Sequence, residues 1–87
     1  MVSQKVKVNN LIGLHLRPAG KLCSEAMKFK SQITFIHNNA TANAKSVLNV
    51  LGACVKGGDE IELICEGEDE AEALVHLTNV LEEELQE

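Results

Sequence analysis

Histidine, arginine and proline stand close together at His15, Arg17 and Pro18 within N-N-L-I-G-L-H-L-R-P-A-G, residues 9–20 of an 87-residue chain. Neutral imidazole is nucleophilic near pH 7 and forms covalent intermediates. A guanidinium two residues on suits phosphate oxygens. Pro18 lacks an N–H, which costs little in the first turn of a helix, and Gly13 lets the backbone turn tightly before the histidine. If His15 marks the passage from loop to helix, first-turn amides and the positive end of the helix dipole form an anion site beside it. Acceptance of a phosphoryl group is the chemistry these parts suit best. No Ser/His/Asp triad, metal cluster or Gly-rich nucleotide loop accompanies them, so no nucleotide pocket is evident. On the residues alone, a surface loop with a solvated arginine stays open as the alternative.

The rest of the chain must supply that helix start. Val2 to Val8 alternates as a first strand, with Val2, Val6 and Val8 on one face and Lys5 and Lys7 on the other, and Asn9 to Leu14 follows as a loop. From Leu16 the period becomes helical: Ala19, Leu22, Cys23, Ala26 and Met27 form one stripe, leaving Lys21, Ser24, Glu25 and Lys28 off it. Gln32 to Ile36 is rich in strand formers, H-N-N supplies turn residues, and Ala40 to Asn43 is expected to pair back. Ser46 can cap a short helix carrying Val47, Leu48, Val50 and Leu51, which Gly52 is expected to end in a left-handed conformation. G-G-D at residues 57–59 is a turn, and Glu60 to Glu66 is a fourth strand with Ile61, Leu63 and Cys65 facing one way. Asp69 and Glu72 are spaced as a capping pair before a last helix with Leu74, Leu77, Leu81 and Leu85 as its stripe. Glu82, Glu83, Glu84 and Glu87 lie at the wrong end of that helix's dipole, so the tail is expected to fray or to meet a basic partner. The order β-α-β-β-α-β-α implies an α+β fold, an open and mainly antiparallel sheet with its helices on one face.

Composition narrows the function. A formal charge of −5 argues against nucleic acid, whose backbone calls for clustered Lys and Arg. With two Phe and no Trp or Tyr, stacking platforms for bases are nearly absent as well. No apolar run approaches the roughly 20 residues of a membrane span, and the strand-like N-terminus does not resemble a signal peptide, so a cytoplasmic protein without membrane insertion is expected. Cys23, Cys54 and Cys65 form an odd set without a C-x-x-C pair. They read as ordinary buried or half-buried thiols in a reducing compartment rather than as a metal site.

G-L-H-L-R-P-A, residues 13–19, resembles the active-site signature of the histidine-containing phosphocarriers (HPr) of the phosphoenolpyruvate-dependent sugar phosphotransferase system. N-A-K-S-V-L-N-V-L-G, residues 43–52, is similar to that family's regulatory serine segment and short helix, and V-K-G-G-D-E-I and G-E-D-E-A-E-A match its closing strand and helix. The resemblance covers essentially the whole chain, residues 1–87, as one phosphocarrier domain with four strands and three helices in an open-faced β-sandwich. It implies that His15 accepts phosphate on Nδ1 from enzyme I and passes it to sugar-specific IIA domains. Arg17 and the backbone N–H groups of Leu16 and Arg17 would hold the phosphoryl oxygens. It also implies that Ser46 is the target of an HPr kinase/phosphorylase, with weaker exchange with enzyme I and binding to a catabolite-control regulator as the consequence. Such a protein is a covalent shuttle, a monomer without cofactor or metal, and His15 is expected to be accessible with no deep pocket around it.

Val47, Leu48 and Leu51 project within an arc of about 100° and would form a docking patch, while Val50 turns inward. A core role for the same short helix is the competing reading, just as an N-cap is for Ser46. Leu16, Ile12 and Gly20 depart from the family pattern at the active end and bear on partner preference, with Gly20 expected to loosen the first turn. Three other functions stay open: a regulatory or nitrogen-linked paralogue, an interaction module governed by Ser46 alone, and a Cys/His metal-binding domain.

Overall fold

A computed structural model describes residues 1–9 and 13–84, without the side chain of Glu84. Ile12, Leu85 and Glu87 therefore lie outside the described residues, as does the middle of the Asn9 to Leu14 loop. The elements are β1 (Val2–Lys7), α1 (Leu16–Ala26), β2 (Gln32–His37), β3 (Ala40–Asn43), α2 (Val47–Gly52), β4 (Glu60–Glu66) and α3 (Glu70–Asn79), which continues as a π-helical turn over Val80–Glu84. This is the order expected from the periodicities.

The sheet runs β1-β4-β2-β3 with every neighbouring pair antiparallel. Register follows from the alternation of apolar residues, because a slip by one would turn each inward side chain out to water. Val6 thus faces Ile61, and Phe35 lies between Leu63 and Ala42. The Asn38-Asn39 turn between β2 and β3 has φ of 51° and 66°, the doubly positive pair that suits the right-handed twist of a two-residue hairpin. On the inner face Val6, Ile33, Phe35, Ile61 and Leu63 are buried, and Leu22, Val50, Leu77 and Leu81 close over them from the helices. Each such side chain contributes about 1.5–3 kcal/mol of burial. Thr34, Ile36, Glu62 and Ile64 on the other face are half-buried, so the sheet is covered on one side only.

Four local expectations are corrected. Glu25, assigned off the α1 stripe, is buried, whereas Met27, assigned to it, is 63% exposed, because the stripe turns toward α3 at the helix end. Gly52 stays within α2, and the left-handed residue is Cys54 at φ 55°, two positions later. Cys54 is also exposed rather than buried, while Cys23 is half-buried. Burial pushes the Cys65 thiol up to about 11, which keeps it protonated and inert.

Asp69 does not cap α3 with its side chain. Its carboxylate instead accepts from the Lys30 and Ser31 amides at 2.8 and 2.9 Å and from the Ser31 hydroxyl, tying the start of α3 to the turn before β2. These donors, the hydroxyl foremost, hold Asp69 below the usual carboxylate range. Local spacing suggests a capping box, but a partner 38 residues away competes for the same oxygen.

Candidate functional site

The rim of the molecule at the start of α1 is built from three chain segments. His15 is the N-cap, with extended backbone at φ −86° and ψ −168°, and its carbonyl accepts the Ala19 amide at 2.8 Å. Gly13 has φ +92°, and a Cβ there would lie 2.2 Å from the Val55 carbonyl oxygen, so both conformation and space require glycine. The Leu14 amide then donates to that same Val55 carbonyl at 2.9 Å. The loop that carries His15 thereby rests on the segment after α2.

His15 makes no side-chain capping bond. Its ring is half-buried, with Nε2 enclosed and lacking a hydrogen-bond partner, which leaves Nδ1 as the nitrogen toward solvent. Leu14, His15, Leu51, Cys54, Val55 and Lys56 line an open depression of about 300 Å³. His15 is therefore accessible on one side, beside a broad hollow rather than a deep pocket. Arg17 stands exposed in the same first turn, where the amides of Leu16 and Arg17 belong to the group that a helix ladder does not use. The chemistry available is attack by an imidazole nitrogen, with first-turn amides and a guanidinium for the incoming anion.

Ser46 is the N-cap of α2, and its hydroxyl accepts the Asn49 amide at 3.3 Å and the Asn49 side-chain N–H at 3.3 Å. The expected docking arc is divided. Leu48 is 80% exposed, but Val47 and Leu51 are half-buried and pack partly on the core, with Val50 fully inside. Among the described residues, Leu16, at 66% exposure, is the other large apolar side chain open to solvent at this end. Gly20 is half-buried in an unbroken α1, and a Cβ there would meet nothing within 4 Å. Cys54, Val55 and Lys56 complete the hollow beside His15, and sequence reasoning does not single them out as site residues. The Gly13 pairing that brings them there spans some 40 residues of chain and has no local signal.

The site is an imidazole on the rim of a one-sided sheet, beside an open hollow rather than an enclosed pocket. The PTS-HPr family model, described as the PTS HPr component phosphorylation site, matches residues 2–83. HPr-like protein Crh of Bacillus subtilis strain 168 is 40% identical over 85 residues, covering 98% of this chain and all of its own. The phosphocarrier protein HPr of Buchnera aphidicola from Acyrthosiphon pisum is 40% identical over 83 residues, 95% of this chain and 98% of its own. The crystal structure of HPr-C-His from Thermoanaerobacter tengcongensis superposes with a TM-score of 0.90 at 36% identity, over 93% of this chain and 91% of that one. This chain belongs to the HPr family, the phosphocarriers of the phosphotransferase system. The open-faced sandwich of four strands and three helices is that family's fold.

Proposed function

We propose that residues 1–87 act as one phosphocarrier domain in which His15 is the phosphoryl acceptor, charged by phosphorylated enzyme I and discharged to IIA domains of sugar permeases. The observation that carries this is the orientation of the His15 ring: Nε2 turned inward and Nδ1 outward, at a helix start whose N-cap side chain makes no bond to the first turn. In the neutral ring with its hydrogen on Nε2, the Nδ1 lone pair attacks phosphorus as the phosphorus–nitrogen bond of the donor phosphohistidine breaks. The same bond exchange, run toward a IIA histidine, discharges the carrier. Leu16 and Arg17 amides and the Arg17 guanidinium steady the phosphoryl oxygens in both directions. Each transfer leaves a phosphorylated protein rather than a released small product, and no cofactor enters the exchange.

Leu48, with the half-buried Val47 and Leu51 and the neighbouring Gly20, forms the apolar surface on which partners dock. Phosphorylation of Ser46 by an HPr kinase/phosphorylase adds nearly two negative charges beside that surface, weakening exchange with enzyme I and favouring a catabolite-control regulator. The carrier works in the cytoplasm, where its partners are. No described helix is long and apolar enough to cross a membrane. The working form proposed is a monomer, in which β1 pairs with β4 of the same chain. A Crh structure that this chain matches at 39% identity and a TM-score of 0.79 is a domain-swapped dimer, so light scattering is the check on that point.

Incubation with phosphoenolpyruvate and enzyme I is expected to yield one acid-labile phosphate, absent in His15→Ala; its persistence in that variant would falsify the assignment. ATP with an HPr kinase should place an acid-stable phosphate that Ser46→Ala abolishes. If the acid-stable label survives that replacement, the regulatory role falls.

A further inference from the structure

Ser46 is held by more than the cap its helix needs. Its hydroxyl oxygen accepts the Asn49 amide and the Asn49 side-chain Nδ2–H, both at 3.3 Å. A hydroxyl oxygen has two lone pairs, and Asn49 engages both. The bond from the amide is the ordinary N-cap, and the bond from the side chain is additional. The way the Asn49 carboxamide lies follows from its other end, where Oδ1 accepts the Asn43 amide at 3.4 Å. An N–H donor must face the oxygen of a carboxamide, so its NH2 group is the end turned to Ser46. Asn49 thereby bridges the end of β3 and the Ser46 hydroxyl.

The backbone that carries Ser46 has little room to adjust. Lys45, the residue before it, is bonded at three points: its amide donates to Asn43 Oδ1 at 2.9 Å, its Nζ donates to the Phe29 carbonyl at 2.8 Å, and its carbonyl accepts the Cys23 thiol at 3.0 Å. The Ser46 amide donates to the Asn43 carbonyl at 3.1 Å, and the Ser46 carbonyl accepts the amide of the fully buried Val50 at 3.0 Å. The Asn49 side chain, by contrast, is exposed and can swing aside without disturbing the core. Any change in the surroundings of Ser46 Oγ therefore falls first on the Asn49 carboxamide.

We propose that Asn49 is a positioning residue that restrains phosphorylation of Ser46, its side-chain N–H holding an Oγ lone pair that has to be released before the oxygen attacks. This rests on the reading of Ser46 as the target of an ATP-dependent kinase. In that step Oγ bonds to the γ-phosphorus of ATP as the bond from that phosphorus to the ADP oxygen breaks, and the hydroxyl proton passes to a base of the kinase. In a loose transition state the hydroxyl keeps its proton until late, so the attacking pair is one of the two already engaged. The bond from the Asn49 amide closes the first turn of a helix of only six residues and stays in place. The carboxamide is the partner that gives way, and its restraint acts on the chemical step rather than on recognition of the protein.

Single-turnover labelling with an HPr kinase and ATP, on wild type, Asn49→Ala and Asn49→Leu, measures that restraint. Leucine keeps the size of asparagine without its donor, so the two variants separate a lost hydrogen bond from lost bulk, and both retain the amide of residue 49. Asn49→Ala carries the comparison alone should the leucine variant not fold. Each folded variant should take up acid-stable phosphate roughly 2- to 10-fold faster than wild type, at an unchanged half-saturating kinase concentration. A loosened helix would also label faster, so hydrogen exchange of the Val50 amide is followed on the same samples and should match wild type. A rate at or below wild type in Asn49→Ala, a gain absent from folded Asn49→Leu, a shifted half-saturation, or a gain that comes with faster Val50 exchange overturns the proposal. If neither wild type nor a variant takes up acid-stable phosphate, the Ser46 reading fails and the restraint fails with it. If wild type is labelled, Ser46→Ala is not, and only the gain is missing, the Ser46 reading stands and the restraint alone is lost.

Discussion

Helix α1 begins at His15, whose side chain makes no bond to the first turn, whereas α2 begins at Ser46 with a hydroxyl already accepting from Asn49. On the proposed function, the difference separates a place for an incoming anion from a place that satisfies itself. At Ser46 the cap holds a helix of six residues, too short to persist by propensity. At His15 an 11-residue helix is anchored by Pro18, Ala19, Leu22 and Ala26 in the core and can spare its cap. Stability supplied elsewhere in α1 is what permits an enclosed, unpartnered Nε2 at its start.

The sharpest way to break this contrast is to give α1 the cap it lacks. His15→Asn is expected to reduce acid-labile phosphate to background while raising stability by about 0.5–1 kcal/mol, since asparagine is a preferred N-cap. Thermal melts and phosphate assays read the two effects on one sample, and a stability loss would mean that His15 is a structural residue. Gly13→Ala tests the loop beneath it. The collision with the Val55 carbonyl and the strain at φ +92° predict a loss of about 2–4 kcal/mol in denaturant melts, with transfer impaired in the fraction that folds.

The far end of α1 shows what a fully partnered polar group looks like. Glu25 accepts from His76 Nε2 at 2.6 Å and from Lys28 and Lys21 Nζ at 3.1 and 3.3 Å, bonding α1 to α3. Those hydrogen bonds, His76 foremost, lower its pKa from 4.5 to about 2 against the opposing effect of burial. A carboxyl depressed in the folded state stabilises above its unfolded value, and that contribution fades as pH falls from about 4.5 towards about 2. Glu25→Gln should therefore cost about 1.5–3 kcal/mol at pH 7, with the gap to wild type narrowing through that window. A gap independent of pH would place the loss in packing instead. The smallest expected effect is that of Ser46→Ala, about 1 kcal/mol of stability with His15 phosphorylation by enzyme I unchanged. A fall in His15 labelling there would erase the distinction between the two helix starts.

Much of this architecture is legible in the amino-acid sequence. The strand and helix order, the inward set of Ile61, Leu63 and Cys65, the cap at Ser46 and the motif around His15 follow from periodicity and residue chemistry within a few neighbours. The misread positions share a cause. Asp69 and Glu25 each look like surface helix residues, and only the arrival of Ser31 and His76 from distant segments gives their oxygens better partners than the local ones. Local preference puts the left-handed residue after α2 at glycine, yet it falls on Cys54, where the bonds from His37 to Ala53 and Asp59 hold the segment.

The sequence by itself determined which residues can do chemistry and which face of each element is apolar, because those depend on side-chain type and on the fixed periods of helix and strand. Tertiary structure alone decided which His15 nitrogen faces solvent, that Cys54, Val55 and Lys56 wall the hollow, and that His37 is bonded on both sides. These are contacts between segments tens of residues apart, and no local preference encodes a pairing whose two halves meet only when the sheet has closed.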